Sequence, residues 1–287
     1  LALVSSPSYD PSAFATRDGN AANEANTTLS QDPSRPLDNR AIAGNRYPPG
    51  STFKIITTAA ALRTGKIKPD QEVDAPDTIP LPGTSHSLEN YGGESCGGGR
   101  TSFSHAFAES CNTPFAQLAM NVGEEELPKE AKNWGFDSEL SIPLKVTPST
   151  YPHNDSQAQT AMAGIGQASV QATPLMMAMV AATVANKGVR VAPRVIDAWI
   201  DADGKETPQK RPEEVRVISE ATAKTLTEML IGVTQEGGTA ESASINGYLV
   251  AGKTGTTEIL TDDSTVASFV GFLPARDPVL AIAVIVN

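Results

Sequence analysis

The 287-residue sequence has too little of several things that large functional classes require. Its 22 Lys and Arg are outnumbered by 33 Asp and Glu, leaving a formal net charge of −11 and a pI near 4.8. Nucleic acid needs basic patches for its phosphates and an anionic bilayer needs a basic face, so this deficit argues against both. No stretch reaches the roughly 18–20 apolar residues that cross a hydrocarbon core. The best candidates, residues 175–185 and 279–286, are too short and read as a buried helix and a strand. There are three histidines, His86, His105 and His153, with neither metal-ligand spacing nor a triad order, so no metal site is expected. Cysteine is limited to Cys96 and Cys111, which in a cytosolic protein would read as two unrelated thiols.

What is present suffices for a substantial core: 39% of the residues are apolar. The length suits one large domain or two small ones. The sequence opens at Leu1 in an apolar stretch without methionine, and is expected to be an excised ectodomain or processed fragment with an N-terminal anchor outside it.

Residues 10–49 are polar, rich in Asn, Asp, Ser and Pro, and almost without apolar periodicity, which predicts a long irregular surface segment. Residues 51–63 are apolar on nearly every side and predict a buried helix, started no earlier than Pro48-Pro49-Gly50 allow and stopped by Gly65. Thr113-Pro114 and Thr173-Pro174 each place an N-capping hydroxyl before a proline, opening helices to about Asn121 and to near Gly188. Ser219 caps a helix to about Val233. Residues 249–256, 266–273 and 279–286 are β-rich runs separated by turns at Asp262-Asp263 and Asp277-Pro278, predicting an antiparallel meander. Residues 195–200 and 214–218 are expected to form a hairpin around residues 201–205. The class is α+β, an antiparallel sheet flanked by helices. A mostly helical subdomain, residues 66–190, is inserted between an N-terminal strand and the C-terminal sheet.

Three short motifs carry chemistry. Ser51 and Lys54 stand three residues apart on one helical face, so the amine can reach the hydroxyl. Burial would lower the Lys54 pKa and let a neutral amine take the serine proton. On its own this pair also reads as a helix-capping serine with a lysine nearby. Ser110-Cys111-Asn112 lies at the junction of two helices and alone would be a cap. Lys253-Thr254-Gly255-Thr256 puts a glycine inside a strand, which marks close approach of a ligand or another backbone, beside a cation and two hydroxyls that suit a carboxylate. The ordinary alternative is a bulge with a solvated lysine. Two further patterns are set aside. Gly93-Glu94-Ser95-Cys96-Gly97 matches a nucleophile elbow but has loop residues on both sides. Asp201-Ala202-Asp203-Gly204 starts like a calcium loop but lacks its later ligands and reads as a turn.

In this order the three motifs S-x-x-K, S-x-N and K-T-G resemble those of penicillin-binding proteins and serine β-lactamases. The likeness extends to RYPPGSTFK at residues 46–54, Gly166-Gln167 before Thr173-Pro174-Leu175, AGKTGT at residues 251–256 and ASFVGFLP at residues 267–274. It is similar above all to class B, monofunctional penicillin-binding proteins. LENYG at residues 88–92, with the two cysteines, resembles an actinobacterial subgroup of them. The resemblance implies a penicillin-binding transpeptidase fold over residues 1–287, with a non-catalytic domain expected N-terminal to it. It implies a D,D-transpeptidase that cross-links peptidoglycan stem peptides, with a D-Ala-D-Ala donor and an amine acceptor, and that β-lactam antibiotics acylate. Ser51 would be the nucleophile and Lys54 its base. Ser110 would bridge Lys54 and Lys253 and pass the proton to the leaving group. Asn112 would bind a donor amide, and Lys253, Thr254, Gly255 and Thr256 the donor carboxylate. Backbone N–H groups of Ser51 and Thr256 would form the oxyanion hole. No cofactor or metal is called for. The setting would be the extracytoplasmic face of the membrane, where disulfides persist, so a Cys96–Cys111 bond is expected. Cell-wall or divisome proteins are candidate partners. On the same fold, a β-lactam sensor domain, a D,D-carboxypeptidase or a β-lactamase is the alternative.

Overall fold

The computed structural model describes residues 2–140, 142–211, 214–259 and 264–287. Helix α1 (Gly19–Gln31) precedes α2 (Lys54–Arg63). Four short strands, β1 (Glu72–Ala75), β2 (Thr78–Pro80), β3 (Ser87–Glu89) and β4 (Gly99–Ser102), lead into α3 (Phe103–Ala108). Helices α4 (Thr113–Val122), α5 (Glu126–Trp134), α6 (Gln157–Gly164) and α7 (Pro174–Ala185) follow. Strands β5 (Val189–Val191), β6 (Ala198–Ile200), β7 (Glu206–Pro208) and β8 (Glu214–Arg216) then precede α8 (Glu220–Val233). Strands β9 (Ala251–Ile259), β10 (Ser264–Leu273) and β11 (Leu280–Val286) complete the order.

The expected meander is present: β9, β10 and β11 form an antiparallel sheet in which β10 is central. The turn expected at Asp262-Asp263 lies outside the described residues. On β11 the side chains of Ala281 and Ala283 are partly covered while Leu280, Ile282 and Val284 are more exposed, the alternation of a strand with one face on the core. Helix α7 packs on β11 and β10, and α8 on β9. Helix α2 is the axis of the helical part. Ile55, Ile56, Ala59, Ala60 and Ala61 are fully buried, and small residues on three sides let α4, α5 and α8 approach it closely. Two of the three capping devices work as read: Thr173 Oγ1 accepts from Met176 N at 3.2 Å and Ser219 Oγ from Thr222 N at 3.0 Å, whereas α4 has Asn112 rather than Thr113 at its N-cap. No helix among the described residues is long and apolar enough to cross a membrane.

Four expectations are corrected. The segment 10–49 is not wholly irregular, because α1 lies within it, capped by Asp18 Oδ1 accepting from Asn20 N at 2.9 Å. It buries no residue and so left no apolar period to read. Among the described residues no strand precedes Glu72, so the N-terminal strand is not found there. The hairpin pairs β6 with β7, register Trp199 opposite Thr207, while residues 214–216 pair with β5. A turn closed by Asp201, whose Oδ1 accepts from Asp203 N and Lys205 N, brings the strand back sooner than the apolar pattern suggested. Finally, Ser51 is not on the α-helix. It sits in a 3₁₀ turn, Gly50–Phe53, and α2 begins at Lys54.

Candidate active site

The turn that carries Ser51 is held from two sides. Gly50 N donates to Gly166 O at 2.9 Å, and a Cβ at Gly166, whose φ is +75°, would lie 2.1 Å from Gly50 O. Only glycine permits that approach. On the other side lies β9. A Cβ at Gly255 would lie 2.8 Å from Pro49 O and 3.1 Å from Thr52 Cγ2. The glycine of the K-T-G motif therefore seats the serine turn against the strand, a steric role alongside any ligand approach.

Ser110 stands where α3 ends. Its N–H donates to Phe107 O at 3.1 Å and the next N–H, of Cys111, to Ala106 O at 2.9 Å. This is the Schellman arrangement, whose left-handed position is usually glycine. Ser110 occupies it with φ +60°, a conformation that costs a non-glycine residue about 1–3 kcal/mol. The hydroxyl that glycine would lack accepts from Lys253 Nζ at 2.7 Å. Cys111 is joined by a disulfide to Cys96, with the two Cα atoms 6.0 Å apart. The bond ties the turn between α3 and α4 to the loop after β3 and leaves no thiol free. Cys96, Glu109 and Cys111 are close enough together for a metal, but paired sulfurs are not thiolate ligands.

Two lysines lie beneath the surface, both fully buried. Lys54 Nζ donates to Ser110 O at 2.7 Å, Cys111 O at 2.9 Å and Asn112 Oδ1 at 2.9 Å, and lies 5.2 Å from the Phe115 ring centre. Lys253 Nζ also donates to Thr254 O at 3.1 Å. Burial pushes the Lys54 amine well below the usual lysine range, and the charge of Lys253 pushes it further the same way. Burial alone brings Lys253 down to about 7. The expected bridge of both amines by the Ser110 hydroxyl is not made. The left-handed turn directs the Ser110 carbonyl to Lys54 and leaves the hydroxyl to Lys253. Among the described residues no hydrogen bond joins Ser51 Oγ to Lys54 Nζ, so the amine must release one acceptor to take the serine proton. Such bonds are often long before substrate binds.

Above these groups opens a cavity of about 460 Å³. Ser51, Ser110, Asn112, Thr254, Gly255 and Thr256 line it, so every residue of the three motifs is either in its wall or, as with Lys54 and Lys253, directly beneath. The cavity also includes residues that motif reading missed: Asn90, Tyr91, Gln167 and Thr239. Thr239 Oγ1 lies 2.6 Å from Thr254 Oγ1, and nothing in its local sequence signals that pairing across 15 residues. Gln167 was quoted only as part of a likeness, and Asn90 and Tyr91 likewise. The three histidines lie elsewhere: His105 pairs with Glu109 at 3.1 Å and His153 with Asp155 at 3.3 Å, while His86 is exposed. Residues 93–97 begin at the end of a 3₁₀ turn, Tyr91–Gly93, and lead into strand β4 rather than a helix, consistent with setting the elbow motif aside.

A serine at a turn beside two buried amines, at the base of an open cleft, defines a serine acyl-transfer site. Residues 1–287 match the penicillin binding protein transpeptidase domain, and the chain belongs to that family. It is similar to peptidoglycan D,D-transpeptidase PbpA of Mycolicibacterium smegmatis, 43% identical over 100% of this chain and 59% of that protein. The PbpA of Mycobacterium tuberculosis is 41% identical with the same coverage. The chain thus spans 59% of the length of these relatives. The solved penicillin G acyl-enzyme of M. tuberculosis penicillin-binding protein A superposes with a TM-score of 0.92 at 41% identity, covering 100% of this chain and 65% of that one. The D,D-transpeptidase domain of a peptidoglycan glycosyltransferase from Eggerthella lenta gives 0.88 at 31% identity, over 99% and 69%.

Proposed function

We propose that this chain is the acyl-transfer domain of a class B peptidoglycan D,D-transpeptidase. The observation that carries the reading is the pair of buried amines set on either side of the Ser110 turn, under a cleft that contains Ser51. One depressed lysine is suited to take a proton, and the other, titrating near neutrality, to hold a carboxylate and return one. The donor is a stem peptide ending in D-Ala-D-Ala. Its carboxylate lies against Lys253, Thr254 and Thr256, and its amide meets Asn112. Lys54 takes the proton from Ser51, whose Oγ bonds to the penultimate carbonyl carbon. Backbone N–H groups of Ser51 and Thr256 stabilise the oxyanion, a contribution of about 3 kcal/mol per donor. Ser110, hydrogen-bonded to Lys253, delivers a proton to the departing D-Ala nitrogen. The amine of a second stem peptide then attacks the ester carbon and frees Ser51.

A β-lactam follows the same first step, but its leaving group stays tethered and the ester persists. The domain is part of a longer protein held at the extracytoplasmic face of the cytoplasmic membrane, with the helical residues 66–190 as an inserted subdomain. Relatives longer than this chain and the Cys96–Cys111 bond support that setting. Cell-wall or divisome proteins are the partners such a placement would offer.

The test is partition of the acyl-enzyme. With a D-Ala-D-Ala stem peptide and a labelled amine acceptor, the parent is expected to form labelled amide, rising with acceptor concentration, and Ser51→Ala none. Release of free acid alone, unaffected by the acceptor, would make the domain a carboxypeptidase.

A further inference from the structure

Among the described residues one buried side-chain group has no partner, Nδ2 of Asn90. Asn90 directly follows β3, is 6% exposed, and lies in the wall of the cavity with Ser51 and Asn112. Its other end is fully used. Oδ1 accepts from Asn112 N at 2.8 Å and from Thr113 N at 3.1 Å, while the Thr113 hydroxyl donates its proton to Pro76 O at 2.7 Å. Those donors fix which end is which, because a flipped amide would turn its NH₂ onto two backbone N–H groups.

The sequence reading made Thr113 the cap of α4, but the N-cap residue is Asn112, and its own side chain makes no cap bond. It is engaged elsewhere: Oδ1 accepts from Lys54 Nζ, and Nδ2 donates to Glu89 O at 3.1 Å. Asn90 caps the helix in its stead, which frees Asn112 to face Lys54. Buried donors nearly always find a partner, and exceptions call for a functional explanation. Here the orphan is buried within a residue that lines the acyl-transfer cleft. Glu94 and Glu109 line the same cavity, so a neutral oxygen suits this wall better than an anionic one.

We propose that Asn90 is a further ligand-binding and positioning residue of this site: its Nδ2–H donates to an amide oxygen in the acyl donor's side chain, while its Oδ1 holds Asn112 against Lys54. This rests on the acyl-transfer reading above. The two ends separate by substitution. Asn90→Asp keeps an acceptor for the two backbone donors and removes the N–H; Asn90→Ala removes both. The second-order acylation rate is measured for each with benzylpenicillin, which has a side-chain amide, and with 6-aminopenicillanic acid, which has a free amine there. With Asn90→Asp, the loss on benzylpenicillin is expected to exceed that on 6-aminopenicillanic acid by about tenfold, the worth of one hydrogen bond. The added charge acts through Lys54 on both ligands alike and appears as a shift of the pH profile. Asn90→Ala is expected to slow both ligands, because Asn112 is no longer fixed.

Equal losses on the two ligands, or none, with Asn90→Asp would overturn the ligand contact. Asn90→Ala acylating 6-aminopenicillanic acid at the parent rate would overturn the positioning role. Should Asn90→Ala fail to fold, Asn90→Leu, which fills the space without an acceptor, replaces it with the same expectation. Failure of the parent itself to be acylated by either ligand would instead refute the reading of the site.

Discussion

Replacing Gly255 by alanine adds one methyl group at the contact between strand β9 and the turn that carries Ser51. Built on the native backbone, that Cβ lies 2.4 Å from Ser268 Oγ, 2.8 Å from Pro49 O and 3.1 Å from Thr52 Cγ2. The first clash is relieved cheaply, since a hydroxyl can rotate. The second cannot be, because Pro49 O is backbone of the segment leading into Ser51. Reaching the 3.0 Å limit requires a retreat of 3.0 − 2.8 = 0.2 Å, and an ordinary 3.4 Å contact requires 3.4 − 2.8 = 0.6 Å. Overpacking of this kind destabilises by about 1–3 kcal/mol. A displacement of 1 Å at reacting groups costs about 100-fold, so 0.2–0.6 Å scales to about 3- to 15-fold in acylation rate. The rate is followed as covalent labelling by a fluorescent penicillin under pseudo-first-order conditions, and stability by urea denaturation. An alanine variant that is acylated at the parent rate would refute the claim that Gly255 seats the Ser51 turn.

Three further outcomes follow from the same geometry. Because the folded pKa of Lys253 is about 7 and the unfolded value is near 10.5, the native state binds fewer protons than the unfolded state between them. Stability should therefore rise with pH across that window, and the rise should be smaller in Lys253→Met, as urea midpoints at pH 7 and 9.5 will show. A parent and variant with the same pH dependence would count against a depressed Lys253. For the rate, the free enzyme needs neutral Lys54 and charged Lys253, so acylation efficiency with a carboxylate-bearing ligand should fall above about pH 7 as Lys253 loses its proton; a rise continuing to pH 9 would contradict this. Removing the disulfide with the double variant Cys96→Ala/Cys111→Ala opens a loop with a sequence separation of 15. The expected loss is about 3 kcal/mol in urea denaturation, with slower acylation because Cys111 lies between Ser110 and Asn112. Unchanged stability and rate would show that the bond braces nothing.

Much of this architecture was legible in the sequence because its signals are local. The capping hydroxyls Thr173 and Ser219, the apolar run of α2 and the β-rich runs that form β9–β11 each state their structure within about ten residues. The three motifs were legible for the same reason: each is a short spacing, complete within four residues. What escaped depends on contacts between distant segments. Helix α1 buries nothing, so it has no apolar stripe to betray it. The choice of β7 over β8 as partner of β6 is made by the Asp201 turn, and β8 is claimed by β5. Ser110 was placed correctly at a helix junction, but its left-handed backbone, which divides the two lysines between its carbonyl and its hydroxyl, belongs to the Schellman turn of α3. Asn90 acts across 22 residues on Asn112, and Thr239 across 15 on Thr254. No spacing rule connects those pairs.

The central claim is that Ser51 is the acylated nucleophile, and intact mass after incubation with benzylpenicillin tests it directly. The account predicts one persistent adduct on the parent chain, at the full mass of the antibiotic, and none on Ser51→Ala. An adduct that survives the substitution, or a parent that hydrolyses the antibiotic without retaining it, would contradict the account.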